Sequence, residues 1–218
     1  MKIYRPLKTN WRTQEFGANL ACVKTNDYGV PIRPFEVIKG IYPQFCPENS
    51  TKFYPALGYL GHNGVDLACY YAEPIYHSGD FEGYMKTEID PDGGIGVDVF
   101  ADKEDSQGRR FKLRYWHLKS VVGFDNKPIK PGDLIGYGDS TGASSGNHLH
   151  FSLKEVDAFD KTLNKTNGYA GAVDMAPYFV DEFILDYLKQ TESTIIRLLQ
   201  KYIDLLIKYI ELLKVKQK

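Results

Sequence analysis

Gly146-Asn147-His148-Leu149-His150-Phe151 is the stretch on which the reading of this 218-residue chain turns. Side chains alternate faces along a β-strand, so His148 and His150 share one face while Leu149 and Phe151 share the other. A strand that buries Leu149 and Phe151 presents two imidazoles side by side on its wetter face. The chain has only five histidines. The other three are His62, His77 and His117, and the chemistry depends on which of them join the pair.

Just upstream, Ser140-Thr141-Gly142-Ala143-Ser144-Ser145 is a run of small residues that leaves the approach to the imidazoles open. It is not a phosphate-cradling loop, because no Gly-Lys-Ser/Thr follows and no helix opens there. Before it, Lys130-Pro131-Gly132-Asp133 reads as a Pro-Gly turn feeding a short strand from Leu134 to Gly138. The run Arg110 to Leu118 alternates as a strand and places Phe111, Leu113, Tyr115 and His117 on one face. A histidine closing an apolar face is ordinarily a hydrogen-bonded core residue, so His117 carries two readings at this point. Asp90-Pro91-Asp92-Gly93-Gly94 is a turn signal ahead of the strand-like run Ile95 to Phe100. Glu73 to Tyr76 and Gly83 to Met85 are further strand pieces, and Thr13 to Gly17 reads as an opening strand ending at a glycine turn.

His62-Asn63-Gly64-Val65-Asp66 places an imidazole and a carboxylate four residues apart. Gly61 and Gly64 argue against a helix, so the segment reads as a turn leading into a strand, with Gly64 allowing close backbone approach. Such a spacing alone is common. Residues 18–60 are rich in Pro, Gly, Asn and aromatics and keep no period, and the aromatic content predicts an ordered excursion packed over the domain.

Composition narrows the class. A formal net charge of −1 supplies no basic field for nucleic acid. Sixteen tyrosines, 12 phenylalanines and 20 glycines suit a β-rich domain with many turns. No apolar run is long enough for a membrane-spanning helix. Met1-Lys2-Ile3-Tyr4-Arg5-Pro6 lacks the apolar core of a secretory signal, so none is expected. Cys22, Cys46 and Cys69 are too widely spaced for a zinc ribbon or a Cys-x-x-Cys site, and packed free thiols are expected.

Hydrolytic metal sites use three protein ligands and leave a fourth position open. His62, Asp66 and one of His148 or His150 make a His₂Asp set. The remaining strand histidine and His117 can then move a proton and stabilise an oxyanion. The residues alone do not choose between His148 and His150 as ligand. His77 has no place in this scheme and reads as structural.

The ordered set of His-x-Gly-x-Asp at 62–66, Trp-His-Leu at 116–118 and His-Leu-His-Phe at 148–151 resembles the lysostaphin-type (M23) peptidoglycan endopeptidases. Pro131 to Gly136, Ser140-Thr141-Gly142 and Gln14-x-Phe16-Gly17 add to the likeness, which covers roughly residues 10–155. The resemblance implies a mainly β fold, a small antiparallel-sheet peptidase domain with a groove past the metal. It implies one Zn²⁺ per chain held by His62, Asp66 and His150, with His117 and His148 assisting catalysis. It also implies hydrolysis of peptide bonds in the stem or cross-bridge peptides of peptidoglycan. Some members use a tyrosine ahead of the first ligand as a transition-state stabiliser; Tyr54 and Tyr59 are the candidates here, with Tyr59 preferred. The segment from Gly17 to His62 is longer than the family's usual connection and is expected to form part of the groove wall. Relatives that have lost ligands exist, so an inactive wall-binding or oligomeric scaffold of the same fold is the alternative.

The organisation expected is a peptidase domain over 1–178, with 17–61 as its extended insert, and an amphipathic helix over 181–218. In the helix, Ile196, Ile203 and Ile210 with Leu199, Leu206 and Leu213 form a heptad a/d seam. Leu198, Tyr202, Leu205, Tyr209 and Leu212 widen it. Residues 194–218 carry six basic side chains against Asp204 and Glu211, a net of +4. So wide a stripe predicts self-association as a coiled coil, or attachment to a membrane or envelope surface. A wall substrate without a signal peptide fits a phage endolysin, a virion-borne hydrolase or export by an unrecognised route.

Overall fold

The computed structural model describes residues 1–17, 59–91 and 93–216. The expected ordered excursion over 18–60, with Tyr54, Cys22 and Cys46, lies outside the described residues except for Tyr59 and Leu60. In chain order the strands are β1 (Ile3–Arg5), β2 (Arg12–Gln14), β3 (Val65–Ala68), β4 (Pro74–Tyr76), β5 (Gly83–Asp90) and β6 (Gly94–Ala101). They continue with β7 (Arg110–Val121), β8 (Pro128–Ile129), β9 (Leu134–Gly138), β10 (His148–Val156), β11 (Ala172–Val173) and β12 (Phe179–Phe183). Helix α1 (Ile184–Lys216) follows.

The main sheet runs in the order β2-β3-β10-β7-β6-β5-β8, with β11 beside β10 and the β4/β9 pair joined to the far end of β7. Its pairings are antiparallel. The fold is mainly β, as the sequence predicts. One face is the apolar core. Val65 and Leu67 of β3, Leu149, Phe151 and Leu153 of β10, and Leu113 and Tyr115 of β7 are all buried there. Burying Leu149 and Phe151 leaves His148 and His150 on the opposite face, which follows from the period-2 geometry of the strand. The β5–β6 hairpin turns at Asp90 to Gly94, where the Asp90 carboxylate accepts from the Gly93 N–H at 2.6 Å.

One strand departs from simple alternation. Against β6, Tyr115 pairs with Val97 but Leu118 pairs with Ile95, so Trp116 and His117 together oppose Gly96. His117 occupies the left-handed region, with φ of 65°. This bulge corrects the expected placement of His117 on the face of Phe111, Leu113 and Tyr115. Leu118 takes the next core position and is fully buried, while the bulge re-aims His117 out of the core. A non-glycine residue held at positive φ costs on the order of 1 kcal/mol, which the surrounding bulge must sustain.

The second correction concerns the start of the tail. Past the expected domain end at residue 178, β12 pairs in parallel with β1 as a separate two-stranded sheet, so α1 begins at Ile184 rather than at residue 181. The absence of Gly and Pro beyond residue 181 hides this boundary, because strand and helix are contiguous. The first turns of α1 pack on the domain: Ile184 is buried with Tyr4 and Phe183, and the Tyr187 ring stacks on Tyr4 at 4.2 Å. Farther out, the large apolar side chains from Ile195 to Tyr209 are 42–64% exposed. Among the described residues no helix is long and apolar enough to cross a membrane.

Cys69 is a buried free thiol, and burial pushes its pKa up to about 12. His77 is fully buried, away from the other histidines. Its Nε2–H donates to the Phe81 carbonyl at 2.8 Å, and its Nδ1 accepts from the Tyr115 hydroxyl at 3.2 Å. Burial drives the His77 pKa down from 6.5 to about 4. A histidine with a depressed folded pKa stabilises the fold above its unfolded pKa, and that contribution is lost as pH falls from 6.5 toward 4. The metal-free chain is therefore expected to lose about 2 kcal/mol from this residue between pH 7 and pH 5. Urea unfolding at the two pH values checks this, with the His77→Gln chain losing correspondingly less.

Candidate metal centre

Register brings the site together. In the β3–β10 ladder Asp66 stands directly opposite His150, and on the other edge of β10 His150 stands opposite Trp116. Asp66 faces away from the core because its neighbours Val65 and Leu67 face into it. His62 lies in the turn before β3 and is 4% exposed. Its Nδ1 is 3.1 Å from the Glu15 carbonyl, which can only accept, so Nδ1 carries a proton and Nε2 is the nitrogen turned to the site. That Nε2 lies 3.0 Å from His150 Nδ1 and 3.1 Å from Asp66 Oδ1, and Asp66 Oδ1 lies 3.0 Å from His150 Nδ1.

These three atoms form a nearly equilateral triangle. Zinc bound tetrahedrally at about 2.0–2.2 Å sets neighbouring ligand atoms about 3.3 Å apart. Opening the triangle by a few tenths of an ångström meets that requirement, so the residues present fit the ion. The donor set is also right, two imidazoles and a carboxylate with a fixed tautomer at His62. Burial opposes ionisation of Asp66, but the adjoining imidazoles of His150 and His62 outweigh it and hold the carboxyl well below its usual range. Burial pushes the His150 pKa down to about 4 against the pull of Asp66. His150 is thus neutral at pH 7, which ligation requires.

The other two imidazoles stand at the edge of this triangle. His117 Nδ1 donates to the Thr141 carbonyl at 2.7 Å, and burial keeps its pKa below the ordinary histidine value. Its ring lies 4.6 Å from that of His148 and 6.0 Å from that of His150. His148 Nδ1 donates to the Gly146 carbonyl at 2.8 Å, and its Nε2 lies 3.7 Å from Asp66 Oδ2. In both residues Nδ1 is committed to a backbone carbonyl, leaving Nε2 to act. The geometry thus assigns His150, not His148, to the triangle with His62 and Asp66. His117, His148 and the triangle line one cavity of about 310 Å³, together with Tyr59 and Gln14.

Several contributors have no clear signal in the sequence. The carbonyls of Glu15 and Thr141 orient His62 and His117, and a backbone acceptor is blind to residue type. Thr141 is itself tied down, its hydroxyl donating to the Leu118 carbonyl at 2.8 Å. Trp116 and Arg114 also line the cavity, with the guanidinium 4.7 Å from the indole and held by both oxygens of Asp98. Gly93 and Gly96 were the available clue: a Cβ on either would run into the Trp116 ring. Gly64 does what its position suggests, since a Cβ there would lie 2.7 Å from His150 Cε1 and from the Phe151 carbonyl oxygen.

Residues 60–164 match the model of peptidase family M23. That stretch is just under half of the chain. It is 33% identical over 92 residues to the peptidoglycan DD-endopeptidase ShyA of Vibrio cholerae, covering 42% of this chain and 20% of that protein. It is 28% identical over 120 residues to ShyB, a second DD-endopeptidase of that organism, covering 53% of this chain and 26% of that one. Among solved structures, the catalytic domain of the antimicrobial peptidase lysostaphin from Staphylococcus simulans aligns at 22% identity with a TM-score of 0.42, covering 55% of this chain and 79% of that domain. The M23 match thus spans only a fifth to a quarter of the curated relatives' length.

Gly64→Ala tests the triangle without removing a ligand. Its methyl group displaces His150, so zinc affinity measured against a chelating dye is expected to fall about 10–100-fold. The far-ultraviolet circular dichroism should be unchanged.

Proposed function

We propose that this chain is a zinc-dependent endopeptidase that hydrolyses peptide bonds in the stem or cross-bridge peptides of peptidoglycan. The observation that carries the proposal is the triangle of His62 Nε2, Asp66 Oδ1 and His150 Nδ1, 3.0–3.1 Å on each side. Two further imidazoles with committed Nδ1 atoms border it. The M23 match and the wall-cleaving names of the relatives in Vibrio cholerae support the substrate class. Such a substrate places the site of action at the bacterial cell wall.

Zinc, when bound, supplies Lewis acidity that makes a water more acidic and polarises a carbonyl. The protein supplies the rest. Asp66, ionised and buried, sets the negative charge of the ligand set. His62 and His150 complete it with one ring nitrogen each. His148 and His117, with Nδ1 tied to backbone carbonyls, turn Nε2 to the same cavity. One accepts the proton leaving the attacking water and passes it to the departing amine. The other takes a proton from solvent on Nε2 and donates that N–H to the developing oxyanion. Burial keeps the His117 pKa below the ordinary histidine value, which suits it to accept. Tyr59 lines the cavity and is the candidate for a further donor to the oxyanion.

Wild type is expected to bind about one zinc per chain and to clear a suspension of purified cell walls. His150→Ala should lose both properties. His117→Ala and His148→Ala should retain zinc but lose wall lysis by at least about 100-fold, the scale of a lost proton-transfer group. Zinc-loaded wild type that leaves walls intact and cleaves no muropeptide overturns the proposal.

A further inference from the structure

We infer that α1 is a self-association helix, packing against at least two copies of itself in a bundle of three or more chains. Its root is fixed. Leu188 and Leu185 pack so closely over Gly132, in the turn before β9, that a Cβ there would meet both. Beyond the root, ten large apolar side chains from Ile195 to Tyr209 stay 42–64% exposed. Together they present roughly 1,000 Å² of mostly apolar surface, well above what one patch on a monomer shows and about what each partner gives a stable interface.

The pattern of these residues identifies the occupant. Ile196, Leu199, Ile203 and Leu206 form one seam spaced alternately three and four apart. The sequence repeat continues it with Ile210 and Leu213. Leu198, Tyr202, Leu205 and Tyr209 form a second seam, spaced four and three, beside the first. With Ile at a and Leu at d, the first seam alone would favour two strands. Two adjacent seams serve two neighbours at once, and a closed arrangement in which every helix meets two others needs at least three.

A lipid surface is the competing occupant, and the period argues against it. A straight helix lying on a membrane needs a stripe that follows 3.6 residues per turn. A strict interval of seven drifts about 20° per heptad on such a helix and is matched by supercoiling around partners. Here the interval of seven holds without insertion from Ile195 to Val215. Through the repeat from Arg197 to Glu211 the polar face also mixes signs, Arg197, Lys201 and Lys208 with Asp204 and Glu211, and the further lysines Lys214, Lys216 and Lys218 fall at its far end. That mixture is typical of a water-facing bundle surface rather than of a uniformly basic face held to anionic lipid.

Sedimentation equilibrium of the full chain tests this independently of any peptidase activity. The expected mass is at least three times 24.8 kDa. Leu205→Glu, in the second seam, should leave a smaller species held by the first seam. Leu206→Glu combined with Leu205→Glu should give a monomer whose near-ultraviolet circular dichroism and zinc binding are those of the wild type. A wild type that is monomeric or dimeric at micromolar concentration overturns the inference. So does a mass insensitive to both substitutions. A monomer that co-sediments with anionic phospholipid vesicles assigns the stripe to lipid instead.

Discussion

Asp66 and His150 face each other across the β3–β10 ladder, and the rest of the centre is built around that register. Antiparallel pairing with the core residues Val65, Leu67, Leu149 and Phe151 on one face leaves no choice about the other. A slip of β3 by one residue against β10 would turn Asp66 into the core and expose Val65 and Leu67. The apolar burial of two short strands therefore specifies the polar site, at no extra cost in local strain. Gly64 belongs to the same constraint, since the imidazole of His150 takes the space that a side chain there would fill.

A second layer of control acts through the tautomers. His62, His117 and His148 each commit Nδ1 to a backbone carbonyl of Glu15, Thr141 or Gly146. Three of the four imidazoles at the site thus have their reactive nitrogen chosen by loop backbone rather than by other side chains. Burial reinforces this by disfavouring the cationic form at His117 and His150. His62 and His150 thereby direct one ring nitrogen each at Asp66, and His117 and His148 turn Nε2 toward the cavity. The ionised Asp66 is compatible with this because its neighbours hold it in the charged form despite its burial.

Much of this was legible in the residues. The His-Leu-His alternation placed both imidazoles on one face, the glycines around His62 argued for a turn, and the composition argued for a β-rich domain. What escaped was non-local or backbone-borne. The bulge at Trp116-His117 depends on how β7 meets β6, and strict alternation cannot show it. The choice of His150 over His148 depends on which one stands opposite Asp66, a tertiary fact that only resemblance could supply beforehand. The boundary between β12 and α1 was hidden because a strand there is set by pairing with residues some 175 positions earlier, not by its own turn signals.

That last pairing also orders events in time. β1 is made before every other described strand, yet its parallel partner is the last strand before the helix, and β1 has no other ladder among the described residues beyond a bridge from Ile3 to Gly79. Contacts between such distant segments close the largest loop in the chain and form slowly. A ribosome must therefore release nearly the whole domain before the first strand can dock. Until then Ile3, Tyr4 and Leu7, all buried in the finished structure, have incomplete cover. The seat for Tyr187 and Ile184 is completed in the same step, so the helix gains its fixed direction only once the domain beneath it has closed.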